Sequence, residues 1–251
     1  MLTLSQVQRQ QGFTLVEMAL VLVITGLMTW AVTSAYGNST MVRDRQRATQ
    51  MGETLRENLR AFALANGRLP CPDTDGNGWE GDAGGQCHTT EAGWVPYRSL
   101  GMELPDARYR AAYAVYRRAG ATAATDADLA LRLERTGDAA GDAHYQDARD
   151  LITALNNAMG DAPSAAHTRL TGNAAGEGAV DCSGNVRSHP AWLAVLPLDD
   201  RNGDGDRFDG PHRVGTACSL PPGTAVAHDA DDVVVAEPLQ ALAGWLGARA
   251  P

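Results

Sequence analysis

Gln11-Gly12-Phe13-Thr14-Leu15-Val16-Glu17-Met18 opens an apolar run that continues to about Tyr36. From Phe13 to Ala35 the chain is mostly Leu, Val, Ile, Met and Ala with a few Thr and Ser, and Glu17 is the one charge. At a helical rise of about 1.5 Å per residue this run is ~35 Å long, enough to cross a hydrocarbon core of roughly 30 Å. Twelve mostly polar residues precede it, with a single basic side chain, Arg9.

Glu17 separates the ways of reading this run. A carboxylate in a bilayer-length segment is unfavourable by roughly 2.5–3.5 kcal/mol at the centre and by less near an interface. Glu17 sits in the second turn, so the penalty is partial, and an ionisable group in such a place usually has a partner. A plain signal anchor gains nothing from it. A secretory signal cut after Thr33-Ser34-Ala35 fits a small-residue cleavage pattern. The apolar run is longer than an ordinary signal core, however, and Glu17 has no role there.

The stretch from Gln11 to Met18 resembles the prepilin processing site of type IV pilins and type II secretion pseudopilins. The resemblance covers about 25 of the 251 residues. It implies cleavage between Gly12 and Phe13 by a prepilin peptidase, followed by methylation of the new amino terminus. It also implies that Glu17 pairs with the N-terminal ammonium of a neighbouring subunit during assembly. The partners implied are the peptidase, other pilin or pseudopilin subunits, an inner-membrane assembly platform and the membrane itself. The location implied is a single pass of the inner membrane with a periplasmic head, then a filament in the periplasm or at the cell surface.

The rest of the chain is organised around that helix. Ala48, Met51, Leu55, Leu59 and Phe62 step by three and four, the spacing of one helix face, with Arg56, Glu57 and Arg60 on the other side. Glu53–Arg56 and Glu57–Arg60 are favourable pairs at a spacing of three. Asn66-Gly67 reads as the stop, with Pro70 just beyond. A helix from Phe13 to Asn66 would be ~80 Å long if straight. The expected organisation is a leader over 1–12, a membrane-spanning or filament-core half-helix over 13–36, an amphipathic half over 37–66 and a head over 67–251. The fold class is α+β and pilin-like: a long N-terminal helix packed on a small antiparallel-sheet head.

Composition narrows the function. The net charge is −9, every basic side chain is Arg, and no basic cluster stands out, which argues against nucleic acid as a main ligand. Arg9 before the span and Arg43, Arg45 and Arg47 after it do not set an orientation by charge. The four cysteines, Cys71, Cys87, Cys182 and Cys218, lack metal or haem spacing, and in an exported head they imply disulfides. Of three pairings, Cys71–Cys87 with Cys182–Cys218 is favoured, because each bond closes one loop rich in Gly and Asp.

Beyond Pro70 the sequence predicts short strands at 94–97 and 108–117 and a short helix at 128–135. An amphipathic helix follows over 145–159, then a loop over 160–180, strands over 191–198 and 232–237, and a final helix over 239–246. The aromatic residues around 109–116 read as sheet packing.

Two acidic loops carry metal-like spacing. Asp200, Asn202, Asp204 and Asp206 follow D-x-N-x-D-G, the first half of an EF-hand-type calcium loop, and Asp209 is placed to supply a further carboxylate. Position twelve is Pro211 rather than Glu, so a true EF-hand is excluded. Asp73, Asp75 and Asn77, with Glu80 and Asp82, form a weaker version. Calcium is the cofactor expected; the simpler reading is of solvated turns held by disulfides. The six His are scattered and His212 reads as a surface residue; no nucleophile, zinc or phosphate motif is present. The function expected is that of a non-enzymatic structural subunit, a minor pilin or pseudopilin of a type IV pilus or type II secretion pseudopilus. A membrane-tethered, calcium-dependent binding or adhesion module is the alternative.

Overall fold

The computed structural model of the chain describes residues 14–81, 87, 90–172, 182, 184–201, 203–210, 212–224 and 231–250. Gly12, Phe13, Asp82 and Asn202 lie outside them. Helix α1 (Leu15–Asn66) holds 52 residues with no internal proline. It ends where Gly67 takes a left-handed φ of 63°, with the Gly67 amide bonded back to the Ala63 carbonyl at 3.0 Å, an ending that suits glycine. The chain divides into two compact units, 1–44 and 45–251. In the first, Leu15–Ser34 is long and apolar enough to cross a membrane, and its large side chains are exposed.

The second unit is built on a four-stranded antiparallel sheet of order β1 (Ala92–Trp94), β2 (Ala112–Val115), β5 (Pro190–Leu196) and β7 (Val233–Pro238). Side chains alternate across it, as the period of two requires. Tyr113, Val115, Trp192, Ala194, Leu196, Val233 and Val235 join one core with Leu55, Leu59 and Ala63 of α1. Helices α2 (Ala148–Met159) and α3 (Leu239–Gly247) pack into the same core through Leu151, Leu155, Leu242 and Leu246. Ala112, Ala114, Leu193, Val195 and Ala236 line the opposite face, where Phe208 covers them. A second sheet joins β3 (Arg169–Thr171) antiparallel to β4 (Val186–Ser188) and parallel to β6 (Cys218–Ser219). The whole is α+β and pilin-like.

The face of α1 that enters the core is the one read in the sequence at Ala48, Leu55 and Leu59, and it departs at Met51. Met51 is exposed, and Gly52 takes the place against the sheet. A Cβ built on Gly52 would fall 2.4 Å from Cγ2 of Val235, so glycine is needed for the helix to lie this close to β7. Leu59 is fully buried on the same face. Leu59→Ala is therefore expected to lower the stability of this unit by about 2–5 kcal/mol, read as a fall in denaturation midpoint.

Arg60 does not pair with Glu57. Arg56 and Arg60 both turn to Glu237 of β7, a residue 1% exposed, with N–O distances of 3.0 and 2.5 Å. Arg56 also keeps its contact with Glu53 at 2.6 Å. Helix and sheet are thus joined by a buried carboxylate with two guanidinium partners.

Three local expectations are corrected. The helix over 128–135 does not form: the Asp126 carboxylate takes the Asp128 amide, the Asp128 carboxylate takes the Ala130 amide, and Arg135 ties its side chain to Asp126. Side-chain turns of this kind compete with helical hydrogen bonding. The 108–117 strand shrinks to β2 behind a 3-10 turn at Ala107–Tyr109. Residues 169–171, within the expected loop, form β3 because their pairing partners lie far along the chain.

Cys71 is bonded to Cys87 and Cys182 to Cys218, and among the described residues no cysteine is free.

Candidate functional site

Glu17 lies in the first turn of α1 and has a partner within its own chain. Its Oε2 accepts the Thr14 amide at 2.8 Å and the Thr14 hydroxyl at 2.9 Å, and Thr14 Oγ1 accepts the Glu17 amide at 3.3 Å. This is the reciprocal capping box of a Thr-x-x-Glu sequence, and it satisfies donors that the helix start leaves over. Farther along, Thr25, Thr29 and Thr33 return their hydroxyls to carbonyls four residues back, which hides the polar groups of this apolar segment. The other proposed processing residues, Gly12 and Phe13, are outside the described residues.

The two acidic loops prove to be the same turn built twice. Asp73 Oδ1 accepts the Gly76 amide at 2.8 Å and Oδ2 the Gly78 amide at 2.7 Å. Asp200 Oδ1 accepts the Gly203 amide at 2.7 Å and Oδ2 the Gly205 amide at 3.0 Å. All four glycines have φ between 72° and 89°, where a side chain would be strained. The sequence spacing D-x-[DN]-G-[DN]-G encodes both.

Beyond the shared turn the loops diverge. In the first, Glu80 is held by Arg68 at 2.7 and 2.9 Å and accepts the Cys71 amide. Asp75 and Asn77 bond to loop amides, and Asp73 is fully buried. In the second, Asp204 and Asp206 are exposed and cap amides of their own turn, and Asp204 also faces Arg213 at 3.7 Å.

Asp209 leaves that loop for the interior. It is fully buried, and one carboxylate oxygen from each of Asp209, Asp231 and Asp232 lies within 4.8 Å of the other two. Among the described residues this is where acidic side chains gather as three, and Asp200, Asp204, Asp206, Asp73, Asp75 and Glu80 take no part.

The structure fixes these three carboxylates tightly. Asp209 accepts the Arg201 amide at 3.0 Å and the Asp231 amide at 2.8 Å. Asp231 accepts the Asp199 amide and the Arg201 guanidinium, the latter at 2.8 Å. Asp232 Oδ2 accepts the Asp209 amide at 2.9 Å and meets His212 Nδ1 at 3.0 Å. Asp232 Oδ1 is buried with no hydrogen-bond partner. Burial pushes the Asp232 carboxyl above its usual range, against the opposing pull of His212 and of the Asp209 amide.

His212 is a correction to the sequence reading: it is 3% exposed, not a surface residue. Its Nε2 meets Ser219 Oγ at 3.0 Å, so Ser219, His212 and Asp232 form a chain with the spacing of a nucleophile, base and orienting carboxylate. Ser219 is completely buried on β6 beside the disulfide-bonded Cys218, out of reach of any substrate carbonyl. What this chain can do is hold Asp232 in place. Sequence reading missed Asp231, Asp232 and Ser219; Asp232 read as the first residue of a strand, and no spacing rule ties Asp231 or Asp232 to Asp209 more than twenty residues earlier.

Residues 7–33 match the family model described as the prokaryotic N-terminal methylation motif, the signature of type IV pilins and pseudopilins. No curated protein and no solved structure gives a significant match to the chain.

Proposed function

We propose that this chain is a minor pilin or pseudopilin, cut between Gly12 and Phe13 and carried by α1 first in the inner membrane and then in a filament. The observation that carries this reading is the coincidence of the methylation motif over 7–33 with an exposed, membrane-length apolar helix that has a carboxylate in its first turn. A head of some 185 residues, larger than a minimal pilin needs, favours a specialised subunit over the bulk one. The two disulfides favour an oxidising compartment for the head, hence the periplasmic side. Prepilin peptidase, other subunits and an assembly platform are the partners this implies.

In the membrane the Thr14 amide and hydroxyl supply the partners that the Glu17 carboxylate needs. In a filament the N-terminal ammonium of a neighbouring subunit is a stronger one, since charge-assisted hydrogen bonds are about twice as strong as neutral ones. The intact mass of the protein recovered from membranes tests the reading: loss of residues 1–12 and gain of one methyl group is expected. A chain recovered uncut from cells that contain the peptidase would favour a tethered binding module instead. Glu17→Ala is expected to insert in the membrane as well as wild type and to be missing from sheared filaments. Its normal presence there would remove the assembly role from Glu17.

A further inference from the structure

We infer that a cavity in the head, between the end of α2, the junction of β4 with β5 and the start of α3, binds a small ligand that carries one carboxylate on an apolar body.

The cavity has a volume of about 250 Å³. Drug-sized sites run from roughly 300 to 1,000 Å³, so this one admits a body of about one amino-acid residue. Its walls are set in advance. Pro163, Pro190, Pro222 and Pro238 line it, and proline fixes its own backbone φ, so little ordering is left to be done on binding. Met159, Leu170 and Leu239 supply apolar surface. His189 is part of the wall and not a free donor. It is 8% exposed, its Nδ1 meets the Thr168 carbonyl at 2.8 Å, and its Nε2 accepts the Ser164 amide at 3.1 Å.

The charges in the lining do not cancel. Asp161 is already neutralised, since its Oδ2 accepts from the Arg118 guanidinium and from the Tyr116 hydroxyl, each at 2.5 Å. Arg187 is exposed, and among the described residues it has neither a carboxylate partner nor a hydrogen bond. Its guanidinium lies over Gly172, where a Cβ would come 2.8 Å from Nε and 2.9 Å from Nη2. The start of α3 adds to this. Its N-cap is Pro238 and no side chain caps it, so its first-turn amides favour an anion. Ser188 and Gln240, both exposed, bring a hydroxyl and an amide to the rim.

The single free cation selects the ligand. One guanidinium matches a monoanion, and its planar fork fits the two oxygens of a carboxylate. A phosphate group carries about −1.5 to −2 charges and would leave charge uncompensated beside apolar walls. Two sources present the required chemistry: a free short-chain acid and the C-terminal residue of a peptide. The site lies within the head and is independent of cleavage and of entry into a filament.

The test is saturation-transfer NMR of N-acetyl-L-leucine with the full chain in neutral detergent micelles. A dissociation constant of about a millimolar is expected for a ligand of this size. Arg187→Gln, at an exposed position, should weaken binding by about tenfold to a hundredfold. Arg213→Gln removes an exposed arginine outside the lining and should bind as wild type does. N-acetyl-L-leucinamide, which has no charge, should not bind. Acetyl-Gly-Gly-Leu and isocaproate separate the two sources. Tighter binding of the peptide identifies a peptide C-terminus, equal or tighter binding of isocaproate identifies a free acid, and either one supports the site. The assignment is overturned if N-acetyl-L-leucine does not bind wild type or if the leucinamide binds equally well. It is equally overturned if Arg187→Gln binds like wild type, or if Arg213→Gln loses as much as Arg187→Gln does.

Discussion

Gly12→Val is expected to leave the chain uncut and absent from filaments, an all-or-none effect. The motif match spans the junction between Gly12 and Phe13, and a protease subsite filled by glycine leaves little room for a β-branched side chain. If Glu17 pairs with a neighbour's N-terminal ammonium as proposed, an uncut chain, with no α-amino group at Phe13, offers none. Its twelve extra residues also stand where that pairing would occur. Intact mass of the membrane fraction and immunoblots of sheared filaments read the two steps separately. Cleavage of Gly12→Val at the wild-type rate would contradict the processing site.

The second large effect is expected at the junction of α1 and β7. The double variant Arg56→Ala/Arg60→Ala strips Glu237 of both cationic partners while its carboxylate stays buried. Removing the partners of a buried charge costs about 3–5 kcal/mol, because the remaining ion keeps its desolvation penalty. For a unit of this size that is a fall in Tm of about 6–20 °C. Adding Glu237→Gln to the double variant should recover part of the loss, since a neutral amide is far less costly to bury. A double variant that melts within a degree of wild type would show that the carboxylate is solvated in practice. The single variant Arg60→Ala should fall between, because Arg56 remains at 3.0 Å.

These two effects sit at opposite ends of what could be read from the chain. The methylation motif over 7–33 and the apolar helix that it opens are legible because the information is local: a short motif, a run of apolar residues of bilayer length and one misplaced charge. The amphipathic half of α1 was legible as a helix, with Ala48, Leu55 and Leu59 on its inward face, but Met51 was named where Gly52 meets the sheet. Met51 is more hydrophobic than Gly52, and only the closeness of Val235 reveals why glycine faces the sheet. The final helix was legible, as were β5 from its continuous apolar run and the edge strand β7 from its β-branched run. The second sheet was not: β3, β4 and β6 have two or three residues each, too few for any period to register.

The acidic loops divide the same way. Both D-x-[DN]-G-[DN]-G turns are dictated by their own residues, because the first Asp bonds amides three and five positions on, and the glycines allow the positive φ that this requires. The local sequence therefore determined a membrane-length helix with a processing motif, a capped first turn and two matching acidic turns. Only the tertiary structure decided where carboxylates converge. Asp209, Asp231 and Asp232 meet because the acidic turn is folded back onto the start of β7. Burial and mutual distance are properties of packing between segments far apart in the chain. A side chain's charge is written in the sequence, whereas the cost of that charge, and so its need for a partner, depends on what surrounds it.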